Sequence, residues 1–237
     1  MRRILYRLVA GLVAVAATVE GVHHLIEDSV VPHRMHSLAH AMVSVFLVAA
    51  LVAQLGRRAV PAGIYLVAAI AIAAGVSDLA SGKVGGLEVL AAVTAVLLVV
   101  AYPEGRRELV RFRWRLVPLG GALLLALATA PYAIRQADAQ LTHASDEFSF
   151  YSWMVAMVTL LALALAVVGT GVRGGRLVAW LDAAGLAAVG GLSLALPREP
   201  SSFGLIGGAI SLVGAVLVGV MAAGWSRTVR AYDAVSA

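Results

Sequence analysis

Residues 155–168 read Val-Ala-Met-Val-Thr-Leu-Leu-Ala-Leu-Ala-Leu-Ala-Val-Val, with no charged side chain and a single hydroxyl group. Apolar residues on both sides extend this stretch to residues 150–170. A helix of that length rises about 1.5 Å per residue and is long enough to cross a hydrocarbon layer about 30 Å thick. The stretch therefore predicts a transmembrane helix, and the fold follows from how often the same pattern returns along the chain.

Apolar runs of similar length recur along the whole chain and predict eight transmembrane helices. Hydrophobic residues make up 61% of the sequence and charged residues 13%, and the mean hydropathy is +0.93, far from the composition of a soluble domain. We therefore expect an all-α integral membrane protein with both termini on one side. The predicted spans are residues 4–26, 37–55, 60–80, 85–103, 116–134, 150–170, 177–196 and 204–225.

The distribution of Lys and Arg predicts which side the termini face, because cytoplasmic loops carry an excess of these residues. Of the eighteen basic residues, fourteen fall at the two termini and in the loops on the same predicted side. The remaining four, on the opposite side, are Arg34, Lys83, Arg135 and Arg198. The N and C termini are therefore predicted to be cytoplasmic, in a multi-pass protein of a prokaryotic-type plasma membrane.

The N-terminus has a second interpretation. Arg2 and Arg3, followed by an apolar run and the tripeptide Ala14-Val15-Ala16, are typical of a cleavable signal peptide. Cleavage would leave seven spans. We expect the segment to stay in the mature protein, because the first span also looks like the start of an internal repeat.

The second half of the chain echoes the first. Arg7-Leu8-Val9 and Arg115-Leu116-Val117 each open a span, and each of these spans is followed by a polar loop with acids and a histidine. An even number of spans per unit returns the chain to the same side of the membrane. We therefore predict two tandem four-helix units in parallel orientation, the first at residues 1–103 and the second at residues 116–237.

Residues 104–115 join the two predicted units and form the most basic segment of the chain. Five arginines accompany Phe112 and Trp114 there. Arginine beside aromatic rings is typical of an interfacial segment that contacts anionic lipid headgroups, and we predict that contact for this cytoplasmic linker. Because the basic residues lie beside span ends and form no patch on a soluble domain, we expect no nucleic-acid partner.

Residue usage excludes several kinds of chemistry. The sequence has no cysteine, which excludes disulfides, thiolate metal sites and CxxC redox chemistry. Its one lysine, Lys83, lies in a predicted loop, which excludes a retinal Schiff base within a span. No phosphate-binding glycine motif is present. A metal site in this chain must therefore use His, Asp or Glu.

Polar residues concentrate around the first predicted outer loop. Five of the six histidines fall within eighteen residues there, and three acids accompany them. Ionisable groups below the membrane interface usually face the interior of a bundle and have a partner. The cluster consists of His23, His24, His33, His36 and His40 with Glu20, Glu27 and Asp28.

Helical spacing selects the ligands from this cluster. Glu20 precedes His24 by four residues and His36 precedes His40 by four, so each pair shares one helical face. Two further acids, late in the third span and early in the fourth, reach a similar depth and bind the metal or orient the imidazoles. The predicted transition-metal site is Glu20, His24, His36, His40, Asp78 and Glu88.

The second half is expected to be scaffold. Its matching loop contains Asp138, His143, Asp146 and Glu147 but no paired histidines. Asp182 stands alone in the seventh span, either as a proton relay or as a structural acid that is hydrogen-bonded or snorkels toward the interface.

Imidazole and carboxylate ligands suit Cu(II), Zn or Fe and leave the choice among them open. The expected function is redox chemistry or metal handling, and whether the protein is an enzyme stays open. The alternative is a non-catalytic subunit of a larger membrane complex that carries haem b between histidines of the first two spans. Partner membrane subunits or a homo-oligomer fit either function. A polar loop without metal, in which one neutral imidazole satisfies Glu20, is the remaining interpretation.

Overall fold

The computed structural model describes residues 2–27, 34–82, 86–142 and 150–235. Within these ranges, the side chains of residues 24, 25, 27, 88, 150 and 225–235 are not described. The described residues form helices and connecting turns and no strand, which confirms the all-α class for this part of the chain.

Helices follow one another with short connections. The third helix begins at Pro61, in the first turn, where an N–H group would have no carbonyl partner within the helix. It ends at Gly82, whose φ of +66° is in the left-handed region that favours glycine. In chain order the helices are α1 (Arg2–Glu27), α2 (Arg34–Val52), α3 (Pro61–Ser81), α4 (Leu87–Val100), α5 (Arg106–Leu109), α6 (Leu116–Thr142), α7 (Phe150–Gly169), α8 (Gly175–Ala195) and α9 (Gly204–Val235), with a 3₁₀ turn at Ala53–Leu55.

Seven helices of the described part are long and apolar enough to cross a membrane, namely α1, α2, α3, α6, α7, α8 and α9. The fourth predicted span, at residues 85–103, corresponds to α4, which has only 14 residues. At about 1.5 Å per residue it is about 21 Å long, shorter than the hydrocarbon layer. The chain thus has the architecture of a multi-pass membrane protein, while the count of eight spans and the side of the termini stay predictions.

Two helices extend well past the ends predicted from hydrophobicity. The fifth predicted span stops at residue 134, whereas α6 continues to Thr142 and carries Pro131 in its interior. Proline lacks the N–H that would bond the carbonyl of Leu127 one turn earlier, an omission that membrane helices tolerate. Similarly, α9 continues to Val235, beyond the predicted end at residue 225. Hydrophobicity marks where a helix meets the membrane boundary and not where its hydrogen bonds end.

Four inner helices, α2, α3, α7 and α8, form the packed centre of the bundle. In their most apolar windows between 50% and 72% of the residues are buried, compared with 17% to 28% in α1, α6 and α9. The outer helices expose large apolar side chains such as Leu12, Leu116 and Ile206. A soluble monomer rarely exposes so much contiguous apolar surface, and lipid is the solvent that suits it.

The helices of each half pack in chain order. In the first half α1 packs on α2, α2 on α3 and α3 on α4, and in the second half α6 packs on α7, α7 on α8 and α8 on α9. The halves meet where α2 and α3 pack against α7 and α8. The outer pair differs, because α1 contacts α4 whereas α6 and α9 barely touch. The superposition of the two halves as a repeat stays a prediction.

The bundle has two ends, which we call the linker end and the hairpin end. At the linker end, where α1 begins and residues 104–115 lie, Arg2 donates a hydrogen bond to the carbonyl of Val100 at 2.6 Å. At the hairpin end, where α1 ends and α2 begins, the backbone N–H of Met35 donates to the carboxylate of Glu199 at 2.9 Å. A carboxylate at the start of α2 also complements the positive end of the helix dipole.

Candidate functional site

A polar cavity of about 400 Å³ lies at the hairpin end of the first half. It is lined by α1, α2, α3 and α4 and the residue that precedes α4, with one side chain from α7. Alanine, valine and leucine side chains line most of its wall, so the polar groups stand out. Two carboxylates, one imidazole and two hydroxyl groups line it, from Glu20, Asp78, His40, Ser44 and Ser77.

The spacing of residues along each helix explains why these side chains share one space. On α2, His40, Ser44 and Leu47 line the cavity at intervals of four and three residues, which places them on one helical face. Gly21 allows α1 to come close to this face, since an added Cβ there would lie only 2.8 Å from the Cβ of Ser44. Glu20, one residue earlier, lines the cavity from α1 and is itself exposed.

The ring of His40 is packed between two other rings. The imidazoles of His36 and His40 meet edge to face with 4.4 Å between their centroids, and the indole of Trp153 lies 3.9 Å from His40. Both histidines are buried, with 7% and 8% of their surfaces exposed. Rings on two sides restrict the rotamers of His40, which preorganises the imidazole at the cavity wall.

Three of the six predicted ligands come together. Glu20, His40 and Asp78, from α1, α2 and α3, line the same cavity. Among the side chains that the structure describes, however, no three His, Asp or Glu groups approach closely enough to hold a metal ion. The cavity wall therefore contains carboxylate and imidazole groups of the predicted kind, but they are not arranged around a single ion position.

The other three predicted ligands have different outcomes. His36 contacts the ring of His40 but does not line the cavity. The side chains of His24 and Glu88 lie outside those that the structure describes. The assignment of these three residues as ligands therefore stays a prediction.

Trp153, in the first turn of α7, was missed by the sequence analysis, which treated the second half as scaffold. The side chain of Gln140 accepts hydrogen bonds from the backbone N–H groups of Tyr151 and Ser152, at 3.2 and 3.3 Å, and so caps this turn. A run of polar and aromatic residues at the start of a span was the available signal. The sequence does not show which helix α7 packs against, so it does not place the ring on His40.

The linker end of the first half is tightly packed around the amide of Gln54, which is 1% exposed. Its oxygen accepts hydrogen bonds from the hydroxyl of Tyr6 at 2.7 Å and the N–H of Val60 at 3.0 Å. Its nitrogen donates to the carbonyls of Ala50 at 2.8 Å and Val60 at 3.1 Å. Every hydrogen-bonding position of this amide is used. The first half is therefore hollow and polar at one end and solid at the other.

Asp182 is a second polar feature of the bundle interior. Its side chain in α8 is fully buried, and neither carboxylate oxygen has a hydrogen-bond partner among the described residues. The interpretation as a snorkelled or hydrogen-bonded structural acid is therefore wrong within this part of the chain. A buried polar group without a partner costs free energy, and such groups are rare enough in native proteins to require an explanation.

Comparisons with known protein families, with curated proteins and with solved structures find no match for this chain. The assignment to the multi-pass membrane proteins rests on the helices of the chain itself, seven of which in the described part are long and apolar enough to cross a membrane. Function must be inferred from the cavity and its surroundings.

Proposed function

We propose that this chain is a plasma-membrane protein that binds a transition-metal ion in the polar cavity of its first half, for redox chemistry or metal handling. One observation carries the proposal: Glu20, His40 and Asp78 line one cavity from three different helices. Ionisable side chains within a membrane bundle are expensive and typically mark ion or substrate sites. Facing helices that contribute carboxylate and imidazole groups are also a common way to build a metal site in a bundle.

The ligand chemistry selects the kind of ion. One imidazole nitrogen with carboxylate oxygens, and no sulfur in the chain apart from methionine, suits Zn, Cu(II) or Fe. A divalent cation also offsets the repulsion between two carboxylates in a medium of low dielectric constant. His36 and Trp153 support this role, because rings packed on His40 restrict its rotamers and so favour one orientation of the imidazole.

Metal binding requires a movement of side chains. Ligand atoms must lie about 2 Å from a single ion, and no three described groups meet in this way. We propose that Glu20 and Asp78 rotate toward His40 when the ion enters. The cavity has room for this, since it measures about 400 Å³ and a water molecule occupies about 30 Å³ of liquid volume. Waters that remain on the ion keep coordination positions open, as a catalytic site needs.

Haem b in a non-catalytic membrane subunit is the alternative function. A bis-histidine haem holds its iron between two imidazoles on opposite faces of a planar macrocycle. The rings of His36 and His40 touch each other at 4.4 Å, so this pair leaves no space for a macrocycle between its members. A haem in this chain therefore needs histidines from two different helices, and its Soret absorption separates it from a bound ion.

Elemental analysis and an absorption spectrum of the purified full-length protein test the proposal. We expect about one equivalent of Cu, Zn or Fe and no Soret band. His40→Ala, Glu20→Ala and Asp78→Ala should each lose most of the metal. His23→Ala is the matched control, because His23 lies exposed on α1 and does not line the cavity.

Helical circular dichroism and gel filtration show whether each variant remains folded. A wild-type protein without stoichiometric metal refutes the proposal, and so does full metal retention by folded His40→Ala. A Soret band in place of a metal equivalent supports the haem alternative.

We also propose that the linker at residues 104–115 contacts anionic headgroups. Its backbone is held on the bundle, because the N–H groups of Arg113 and Arg115 donate at 2.8 Å to the carbonyls of Thr170 and Gly169. Trp114 is 64% exposed beside exposed arginines, which suits an interfacial position. Brominated phosphatidylglycerol should quench the fluorescence of Trp114 more strongly than brominated phosphatidylcholine, and equal quenching would contradict the preference. Trp114→Phe identifies the contribution of this residue to the signal.

A further inference from the structure

The second half contains a crevice of about 700 Å³ between α6 and α9. It extends along α6 from Val117 to Arg135, which at about 1.5 Å per residue is about 27 Å, close to the thickness of the hydrocarbon layer. Side chains of α7 and α8 form its floor. Because α6 and α9 barely touch, the crevice opens sideways, and exposed Leu124 and Leu217 stand at its two edges.

The wall of this crevice is mostly apolar, and its few hydroxyl groups already have hydrogen-bond acceptors within the protein. It includes three hydroxyl groups, and each donates its hydrogen to a backbone carbonyl: Thr129 to Leu125 at 2.7 Å, Ser211 to Gly207 at 2.9 Å and Tyr132 to Ser201 at 2.6 Å. With their hydrogens already donated, these hydroxyl groups can only accept a hydrogen bond from an occupant. The wall therefore suits a ligand whose long part is hydrocarbon.

Arg135, at the hairpin end of the crevice, is the one charged residue among the described residues that line it. Its side chain is exposed, and within the described part of the chain it donates no hydrogen bond and forms no ion pair. Its guanidinium carbon lies 6.0 Å from the centroid of the Tyr132 ring. A guanidinium group presents a planar set of donors that matches phosphate oxygens and can bind them in pairs. The crevice thus combines one anion-binding group with a long apolar wall.

From this combination we infer that the crevice between α6 and α9 binds one anionic phospholipid, with its phosphate at Arg135 and an acyl chain along the apolar wall. The sideways opening lets the lipid enter from the bilayer and leaves room for its second chain outside. The charge of Arg135 distinguishes this occupant from an uncharged helix of a second copy, which would leave the guanidinium without a partner.

Native mass spectrometry of the full-length protein, relipidated with defined lipids, tests this inference. We expect about one phosphatidylglycerol to be retained per chain, with little phosphatidylcholine or palmitate. Arg135→Gln should lower the retention of phosphatidylglycerol about tenfold, because a charge-assisted phosphate contact is lost. Arg198→Gln makes the same charge change at another exposed position of the same end, outside the crevice, and should leave retention unchanged.

A second variant tests the apolar part of the site. Ala128→Phe fills the wall next to Thr129 while Arg135 remains, and it should also release the lipid. Equal retention of phosphatidylglycerol and phosphatidylcholine would overturn the inference, as would equal effects of Arg135→Gln and Arg198→Gln. Preferential retention of palmitate, or a lipid-free dimer with the crevice covered, would replace the phospholipid with another occupant.

Discussion

The two halves of this protein contain hollows of opposite character. The cavity of the first half has carboxylates and an imidazole on its wall, and its outer helices α1 and α4 contact each other. The crevice of the second half is apolar and opens sideways, because α6 and α9 barely touch. The same order of helix packing therefore yields two different hollows, for which we propose an ion in the first half and a lipid in the second.

Glycine contacts explain where each half is closed. In the first half, Gly63 lets α3 lie against the amide of Gln54, and this contact closes the linker end. In the second half, Gly190 and Gly208 bring α8 and α9 together so closely that an added Cβ on either would lie 2.8 or 3.0 Å from the carbonyl oxygen of the other. In the second half α9 is thus packed closely on α8, while α6 packs on α7.

The largest effect is expected at the closed end of the first half. In Gly63→Ala the new methyl group would lie 2.1 Å from Nε2 of Gln54 and 2.7 Å from the carbonyl oxygen of Ala50, so the four hydrogen bonds of this amide cannot all persist. We expect a loss of about 3 kcal/mol in unfolding free energy, seen as a drop of about 10 °C in Tm in detergent.

Gly75→Ala is the control on the same helix, because nothing lies within 4 Å of an added Cβ there. Since alanine favours helix, this variant should be as stable as the wild type or slightly more stable. Equal Tm values for the two variants would show that Gln54 does not close the first half.

A smaller effect is expected at the close contact between α8 and α9 in the second half. Gly190→Ala should cost about 2 kcal/mol, because its Cβ would meet the backbone of Gly208 and the side chain of Leu212. Gly191→Ala, one residue later, meets nothing within 4 Å and should leave Tm nearly unchanged. If Gly190→Ala melts like Gly191→Ala, the close approach of α8 and α9 at Gly190 does not contribute to stability.

The smallest effect is expected at Asp182, which belongs to neither hollow. Asp182→Leu should raise the unfolding free energy by about 1 kcal/mol, because it removes a buried polar group that has no partner among the described residues. Asp182→Asn keeps an unsatisfied polar group and should give no such gain. A marked loss of stability in Asp182→Leu would indicate that the carboxyl group has a partner that stabilises the fold.

Hydrophobicity along the chain predicts most of the architecture, and helical spacing selects three residues that line one cavity, whereas their role as ligands stays a prediction. The runs of apolar residues predict the seven long helices, because crossing a bilayer imposes a length that composition reveals. Residues 85–103 were the exception, since their apolar run extends past the 14-residue helix that forms there. Helical periodicity predicts that His40 and Ser44 share one face of α2, and the estimated depths of Glu20 and Asp78 place them near the same end of the bundle.

The remainder depends on how helices distant in sequence pack together. The position of Trp153 on His40 requires α7 to lie against α2, which no local pattern indicates. His36 has the right spacing for a ligand, yet it packs on the ring of His40. The crevice beside Arg135 exists only because α6 and α9 stay apart, a distance set by side-chain fit between helices and not by the sequence of either one.

The most direct test of the metal site is an anomalous-scattering experiment on the purified protein, with data collected on both sides of the absorption edge of the metal found by elemental analysis. We predict a single anomalous peak inside the polar cavity, about 2 Å from a ring nitrogen of His40 and from carboxylate oxygens of Glu20 and Asp78. The absence of a peak from metal-loaded crystals, or a peak outside this cavity, would contradict the proposed site.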